Sequence, residues 1–497
     1  LVMGMVLNTN IGAIQAQRAI SEAREEMESA MERLSTGKRI NSAADDAAGL
    51  AMVERMNSQI RGLTMATKNA NDGIALIRTV ENALVEVSGM LQRMRELAVQ
   101  SANATNSATE RAFANNELNQ LQLEISRVSA NTRYNGTQVL NGTFSAKALQ
   151  VGTMSGEEIN FTIDSVESSL LGAYVIVGEN NLDAYTATTD GGYTAGSNDT
   201  DDADNVTIVG NGNTREIDIA ANDSAKDVAK KINSVAGATT VFAQARTFAN
   251  LASSSATSES YQISINGTQT AAFSISSNDV SDAVAKINAI FASTGVMASA
   301  TTENKVLLTD SDGDDMIIAN GSSGTSLEVA AVGNDGVTAQ SSTAVSLAAS
   351  TGNNTTQVLG TLRMSSSSGF TVAQTNGASD TFFADGTATA ELESVGVIDI
   401  STQIGASYSI ATIDGALERV SGMRGSLGTL QNRLDYSVSN LMKVTEYTIG
   451  ARSRIEDADF AAETSRLAKA QVLQQAGASM LSQANASTEI VLQVLRG

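Results

Sequence analysis

The densest group of carboxylates in the chain is Asp310-Ser311-Asp312-Gly313-Asp314-Asp315. Oxygen ligands of this kind suit Ca²⁺. The glycine comes too early in the segment for an EF-hand loop, however, and no Glu stands at the twelfth position from Asp310. An acidic turn between two strands is therefore favoured, and a calcium-binding adhesin is kept as an alternative that a calorimetric Ca²⁺ titration distinguishes.

The residue types that carry most enzymatic chemistry are missing from the sequence. The chain has 497 residues and contains no His, Cys, Trp or Pro. Without Cys there is no thiolate nucleophile, thiolate metal site or disulfide. Without His the commonest general acid–base group and the commonest zinc ligand are lacking. We therefore expect a protein that is not an enzyme and that needs no metal or cofactor.

Asn-Gly-Thr occurs at Asn135, Asn141 and Asn266, and each occurrence also matches the N-glycosylation sequon. Asn-Gly is a strong signal for a two-residue hairpin turn, which explains all three without a sugar. We therefore interpret them as turns.

Charge is distributed unevenly along the chain. Residues 151–415 hold 8 Lys+Arg against 31 Asp+Glu, whereas the flanking segments hold 24 against 23. An acidic surface repels nucleic acid and anionic membranes. No run of about 20 apolar residues could span a bilayer. Leu1 to Asn10 lack the basic and apolar blocks of a secretory signal peptide. Neither nucleic acid nor a membrane is expected as a partner.

The segment from Ile11 to about Val128 has the periodicity of long helices. Its apolar or small positions step alternately by 4 and 3 with one irregularity, which is typical of a coiled-coil seam. The seam comprises Met56, Ile60, Leu63, Thr67, Ala70, Ile74, Ile77, Val80, Leu84, Val87, Leu91, Met94 and Ala98. Ser101 to Thr109 predicts a turn, after which a second helix folds back. A seam of this length needs a partner helix, and residues 417–444 near the other end have a matching apolar periodicity.

Both outer tips of the helical arms have thin apolar seams, half of whose positions are Ala, Gly or Ser. The larger seam residues, predicted to mediate assembly, are Ile20, Met27, Leu34, Leu473, Met480, Val491 and Val494. Burial of apolar surface contributes ~25 cal/mol per Å², whereas ordering the backbone costs ~1–2 kcal/mol per residue. We therefore predict that the tips are disordered in the free chain and fold when many copies pack together.

The central segment, rich in Ser, Thr, Gly, Asn and Asp, contains a weak internal repeat. Residues 227–233 (DVAKKIN) resemble residues 282–288 (DAVAKIN). Two copies are too few for a solenoid, so two small α+β modules are favoured.

These patterns predict a multi-domain α+β protein in which long antiparallel coiled-coil arms from both termini flank a β-rich central insert that forms outer domains. Five segments are expected. They are an inner arm (1–44), a helical shell segment (45–150), the surface insert (151–415), a second shell segment (416–455) and a second inner arm (456–497).

Two ends of the chain resemble bacterial flagellins. The matching segments are residues 7–10 (LNTN), 33–50 (RLSTGKRINSAADDAAGL), 92–103 (QRMRELAVQSAN), 454–461 (RIEDADFA) and 473–477 (LQQAG). The resemblance covers about 150 residues at the start and 80 at the end. The central segment resembles the variable outer domains of the family only in style.

The resemblance implies a secreted structural subunit of the flagellar filament that is exported unfolded by the flagellar type III apparatus. The implied partners are further copies of the chain, the flagellar cap, the hook-junction protein, an export chaperone and innate immune receptors. Arg93, Leu97 and Glu117 look like the family positions that an animal receptor reads and that lie in subunit contacts. The alternative within the resemblance is the hook–filament junction protein, which shares the helical ends.

Overall fold

The computed structural model describes residues 9–178, 188–189, 205–253, 255, 257–276, 278–301, 303–322, 324–336, 344–349, 353–374, 382–383 and 386–496. The helices in these ranges are α1 (Ile11–Thr36), α2 (Ala47–Ala102), α3 (Ala108–Asn131), α4 (Ala225–Ser234), α5 (Ala236–Thr239), α6 (Ser281–Asn288), α7 (Phe291–Thr294), α8 (Gln403–Glu456) and α9 (Phe460–Arg496).

The strands fall between α3 and α8, where the sequence predicts a β-rich insert. They are β1 (Arg133–Tyr134), β2 (Thr137–Gln138), β3 (Lys147–Gln150), β4 (Glu158–Phe161), β5 (Gly172–Val177), β6 (Thr188–Thr189), β7 (Val206–Gly210), β8 (Asn213–Ile217), β9 (Phe242–Ser253), β10 (Glu259–Tyr261), β11 (Ile263–Ile265), β12 (Thr268–Gln269), β13 (Phe273–Ile275), β14 (Val296–Ala300), β15 (Val306–Asp310), β16 (Met316–Asn320), β17 (Leu327–Ala331), β18 (Val345–Leu347), β19 (Asn353–Val358), β20 (Thr361–Ser366), β21 (Phe370–Gln374), β22 (Gly386–Thr389) and β23 (Glu391–Ser394). The predicted fold class is confirmed.

The chain divides into two compact units. The first comprises residues 1–77, 146–161 and 429–497, and the second comprises residues 78–145 and 162–428. Two of the boundaries, after residues 77 and 428, fall inside the long helices α2 and α8, so each of these helices contributes to both units. The five-segment division therefore stays a prediction.

In the first unit, the N-terminal part of α2 packs antiparallel to the C-terminal part of α8. Asn57 accepts a hydrogen bond from Arg452 at 2.7 Å, and Leu63 and Ala66 form a buried cluster with Leu441. The tertiary partner that the α2 seam requires is thus α8.

In the second unit, the rest of α2 packs with α3 and with the N-terminal part of α8. Leu84, Leu91 and Met94 of the predicted seam are fully buried, as a long amphipathic helix requires. Ser107 begins α3 with a capping box, because its side chain and that of Glu110 each accept a backbone N–H of the other residue. The predicted turn before α3 is confirmed. Helix α8 begins at Gln403, earlier than the predicted segment start at 416.

The strands of the second unit build three larger antiparallel sheets. The longest has the order β14-β15-β9-β20-β5-β23, with β17 paired to β9 and β18 paired to β17. A second sheet has the order β12-β11-β16-β19-β6, and a third the order β22-β21-β7-β8. Strand β9 is long enough to serve two cores, since Ala243 belongs to one apolar cluster and Ala249 to the other.

The two copies of the repeat pack on different apolar cores, which are here termed the first and second module, and the division of the insert into modules stays a prediction. Helix α4 packs on one core through Ile232, and α6 packs on the other through Ile287. In the first module the Asn233 amide donates to Ala243 O and accepts from Ala243 N, both at 2.8 Å. In the second, Asn288 makes the same pair of bonds to the backbone of Ala298 at 2.9 and 2.7 Å. In each copy of the repeat, the Ile thus packs in the core and the Asn forms two hydrogen bonds to the backbone of the following strand.

Candidate assembly surfaces

Helices α1 and α9 form an antiparallel pair. Asn10 caps α1 by accepting a hydrogen bond from Ala13 N, and its amide donates to Ala484 O at 3.0 Å. Further along the pair, Gly477 faces Ile20, where a Cβ on the glycine would lie 2.7 Å from Ile20 Cγ1. At the other end Arg33 lies 3.6 Å from Glu463. The glycine therefore permits a close approach of the two helices at Ile20.

The pair buries very little apolar surface. Among the described side chains of α1 and α9, the buried apolar ones are Ala23, Ala30 and Ala470. A methyl group contributes on the order of 1 kcal/mol when buried, and ordering each residue costs ~1–2 kcal/mol. Packing of this one pair cannot by itself offset the ordering of two helices of this length.

Large apolar side chains lie on the outside of the same pair. More of them are exposed than buried, which is the reverse of the usual distribution and marks an interaction surface. The exposed set comprises Ile11, Ile14, Met31, Phe460, Val472, Leu473 and Met480. The helix pair thus presents surface that only further neighbours can cover.

The predicted assembly residues divide between these two surfaces. Ile20, Met27 and Leu34 are half-buried on α1, whereas Leu473 and Met480 are 45% and 65% exposed. The side chains of Val491 and Val494 lie outside the described residues.

The assembly role of the α9 residues stays a prediction. The small seam positions Ala470, Gly477 and Ala484 are buried or half-buried in the single chain, whereas Leu473 and Met480 are exposed and available to further copies. The described residues of α9 that are buried or half-buried in the single chain step by 4 and 3 and are Glu463, Leu467, Ala470, Gln474, Gly477, Leu481 and Ala484.

Two short segments, residues 37–46 between α1 and α2 and residues 455–459 at the junction of α8 and α9, lie side by side and are here termed the elbow. Charged residues hold these two segments together. Lys38 Nζ lies 2.5 Å from Oε1 of Glu456, whose side chain is only 8% exposed. The Arg39 backbone N–H donates to Glu456 O at 2.6 Å, and its guanidinium donates to Ile455 O at 2.6 Å. Ala458 N donates in turn to Gly37 O at 3.0 Å. The two segments of the elbow are thus linked by hydrogen bonds and an ion pair.

Asp45 organises the elbow from the other side. Its carboxylate accepts hydrogen bonds from the backbone N–H groups of Asn41 and Ser42 at 3.1 and 2.9 Å, and Arg33 lies 3.6 Å away. The backbone hydrogen bonds from Ser42 and Asn41, helped by Arg33, hold the pKa of Asp45 below its usual value. This carboxylate is therefore charged at neutral pH and fixes the loop before α2.

The residues predicted to contact receptors and other subunits lie on α2 and α3. Arg93 donates to Glu117 at 2.8 Å and to Glu96 at 2.9 Å, and these bonds raise its pKa. Arg93 and Glu117 are half-exposed. Leu97, by contrast, is 2% exposed, so its predicted contact role does not fit the folded chain. Its spacing of three from Met94 of the seam already indicated a core position.

A neighbouring ion pair was missed at the sequence level. Arg95 Nε lies 2.6 Å from Asp414 of α8, and both side chains are 47% exposed. This hydrogen-bonded pair raises the pKa of Arg95. Nothing in the sequence relates two residues so far apart along the chain, because only the antiparallel register of α2 and α8 brings them together.

The acidic turn at 310–315 holds a lysine. Lys226 Nζ lies 2.7 Å from Asp314 and 3.2 Å from Asp312, while burial raises the pKa of Asp310.

In the part of the chain that the structure describes, no group of three or more Asp or Glu is arranged to hold a metal ion. The same ranges contain no helix with the length and hydropathy of a membrane span.

Comparison with known proteins points to one family. The family model described as the bacterial flagellin N-terminal helical region matches residues 7–145, and that of the C-terminal helical region matches residues 410–495. B-type flagellin of Pseudomonas aeruginosa is 37% identical, and flagellin D of Vibrio cholerae 31%; each alignment covers 99% of this chain and 100% of the relative. A solved structure, FliC of Burkholderia pseudomallei, covers 73% of this chain and 99% of its own at 19% identity, with a TM-score of 0.30.

Proposed function

The chain belongs to the bacterial flagellin family and is a structural subunit of the extracellular flagellar filament, and we propose that it assembles through the paired arms α1 and α9, which become ordered only as copies pack together. The observation that carries this proposal is the imbalance among the described side chains of the pair, whose buried apolar residues are alanines while its large apolar residues are half-buried or exposed. Neighbouring copies supply the missing apolar contacts.

The elbow gives the arms a defined exit from the long helices. Glu456 and Glu463 are almost fully buried and each contacts a basic side chain of the other arm, Lys38 and Arg33. A fold in which a buried charge lacks its partner is strongly destabilised. These ion pairs therefore favour the one arrangement of the two arms in which both pairs form. In this proposal the segments 1–44 and 456–497 form the inner part of the polymer, and 45–150 with 416–455 form the shell around it.

The remaining partners follow from the family resemblance. The flagellar type III apparatus and an export chaperone would handle the unfolded chain, and the cap and hook-junction proteins would meet its assembled ends. Arg93 and Glu117 are the proposed contact residues for innate immune receptors, since they are half-exposed. The identity to flagellins along the whole chain favours this function over that of a hook–filament junction protein.

Electron microscopy of the purified chain tests the proposal. We expect the intact protein to be monomeric when dilute and to form long filaments when concentrated and given short filament fragments as seeds. Seeds are needed because the first copies have no neighbouring surface whose burial could offset the conformational entropy lost when their arms become ordered. Failure of the intact, folded chain to extend any seed over a range of concentrations would contradict the proposal.

A further inference from the structure

The chain contains several Asn-Gly pairs, and the structure distinguishes among them. Asparagine followed by glycine is chemically labile, because glycine has no side chain to hinder its backbone nitrogen from approaching the asparagine side-chain carbonyl. Within the described ranges such pairs begin at Asn135, Asn141, Asn211, Asn266 and Asn320. How firmly each side-chain amide is held decides whether that approach can occur in the folded protein.

Two of these amides are fixed by their surroundings. Asn141 donates to Gln138 at 2.8 Å and accepts from the Thr143 hydroxyl at 2.7 Å. Asn320 is fully buried, donates to the carbonyl oxygen of Thr325 at 2.9 Å and accepts from Ser322 N at 3.0 Å. Reaction at either residue first requires these bonds to break.

The repeat supplies a matched pair in Asn211 and Asn266. Each begins a two-residue hairpin loop, between β7 and β8 in the first module and between β11 and β12 in the second. Their φ angles are 50° and 51°, and the following glycines have φ of 71° and 79°. The two sites therefore share the Asn-Gly pair, the loop length and closely similar φ angles.

The two asparagines differ in their side-chain contacts. Asn266 accepts from Ile317 N at 2.9 Å and donates to Thr294 O at 3.4 Å. The Asn211 side chain is exposed and makes no hydrogen bond to any described residue. Asn135, at the tip of the β1–β2 hairpin, is exposed and free in the same sense.

We propose that Asn211 and Asn135 are sites of spontaneous deamidation in the folded protein, whereas Asn266 is protected. At Asn211 the backbone nitrogen of Gly212 attacks the side-chain carbonyl carbon, a C–N bond forms, and ammonia leaves. Water then opens the resulting five-membered imide to aspartate or isoaspartate. The net change consumes one water and releases one ammonia, so no other reactant is needed.

The products alter the surface of the first module. Conversion of Asn211 adds one negative charge to an insert that is already strongly acidic. Aspartate is tolerated at positive φ, whereas isoaspartate adds a methylene to the backbone and breaks the two-residue register of the hairpin. Older chains should therefore differ from new ones at this edge of the β22-β21-β7-β8 sheet.

Peptide mapping by mass spectrometry during incubation at neutral to mildly alkaline pH tests the proposal. In the native chain we expect deamidation at Asn211 to be at least about 10-fold faster than at Asn266, since the tethered amide must first lose two hydrogen bonds; about tenfold corresponds to ~1.4 kcal/mol. In the chain unfolded by denaturant, the two sites should react at similar rates.

A single substitution shows whether the mass shift arises at Asn211. Asn211→Gly keeps a residue that favours this turn and should abolish the mass shift of the 211 peptide without altering that of the 135 peptide. Equal native rates at Asn211 and Asn266 would overturn the proposal. So would an Asn211 that stays intact in the native chain while the denatured chain converts.

Discussion

A chain lacking residues 465–497 is expected to remain a folded monomer and to form no filaments. The deletion removes most of α9 and leaves Ile20, Met27 and the rest of α1 without their partner. The second compact unit, with its two β-rich cores, contains none of the deleted residues. Circular dichroism should therefore show that the strands and the long helices persist, while electron microscopy and light scattering show no polymer even with seeds.

The complementary deletion of residues 1–35 provides the control for this experiment. Because α1 and α9 depend on each other, each deletion should give a folded monomer that does not assemble. Mixing the two trimmed proteins should not enable either of them to form filaments by itself. Filaments from either trimmed chain would contradict the proposed assembly mechanism.

Gly477→Val is expected to suppress assembly by a single substitution. The new Cβ would lie 2.7 Å from Ile20 Cγ1, so α1 and α9 must separate or Ile20 must repack. Overpacking of this kind costs ~1–3 kcal/mol, which at ~1.4 kcal/mol per tenfold raises the concentration needed for polymerisation by roughly 5-fold to 140-fold. The readout is the concentration of free subunit left in equilibrium with filaments.

Two further variants show whether the clash is responsible. Gly428→Ala, in the helix interior of α8, meets no atom within 4 Å of the new Cβ and should leave assembly intact, with up to ~1 kcal/mol of added helix stability. Ile20→Ala in the Gly477→Val background removes the obstructing side chain and should restore part of the assembly. Unimpaired polymerisation of Gly477→Val would show that the close α1–α9 contact is not used in the filament.

Much of the helical part of the fold follows from the sequence alone. Leu84, Leu91 and Met94 were predicted at the α2 seam and are fully buried, because a helix of this length must bury one continuous stripe whatever its partner is. The Ile-Asn repeat likewise predicted two modules. In both cases the physical requirement is local to the sequence segment that carries the pattern.

The sequence does not predict contacts between residues that lie far apart along the chain. In α9 the helix approaches α1 through the small seam positions Gly477 and Ala484, but the sequence alone does not show which residues of α1 they meet. The elbow pair Lys38–Glu456 joins residues from opposite ends of the chain, and no local pattern relates them. Sharing of β9 by the two modules is also non-local, since it depends on the order of strands in the sheets.

Amide hydrogen exchange, measured on the same chain as monomer and as filament, tests most directly whether the arms gain their structure from neighbouring copies. The account predicts that amides of α1 and α9 exchange rapidly in the dilute monomer and become strongly protected in the filament, while those of α2 and α8 are protected in both. Protection of α1 and α9 in the dilute monomer equal to that of α2 would contradict it.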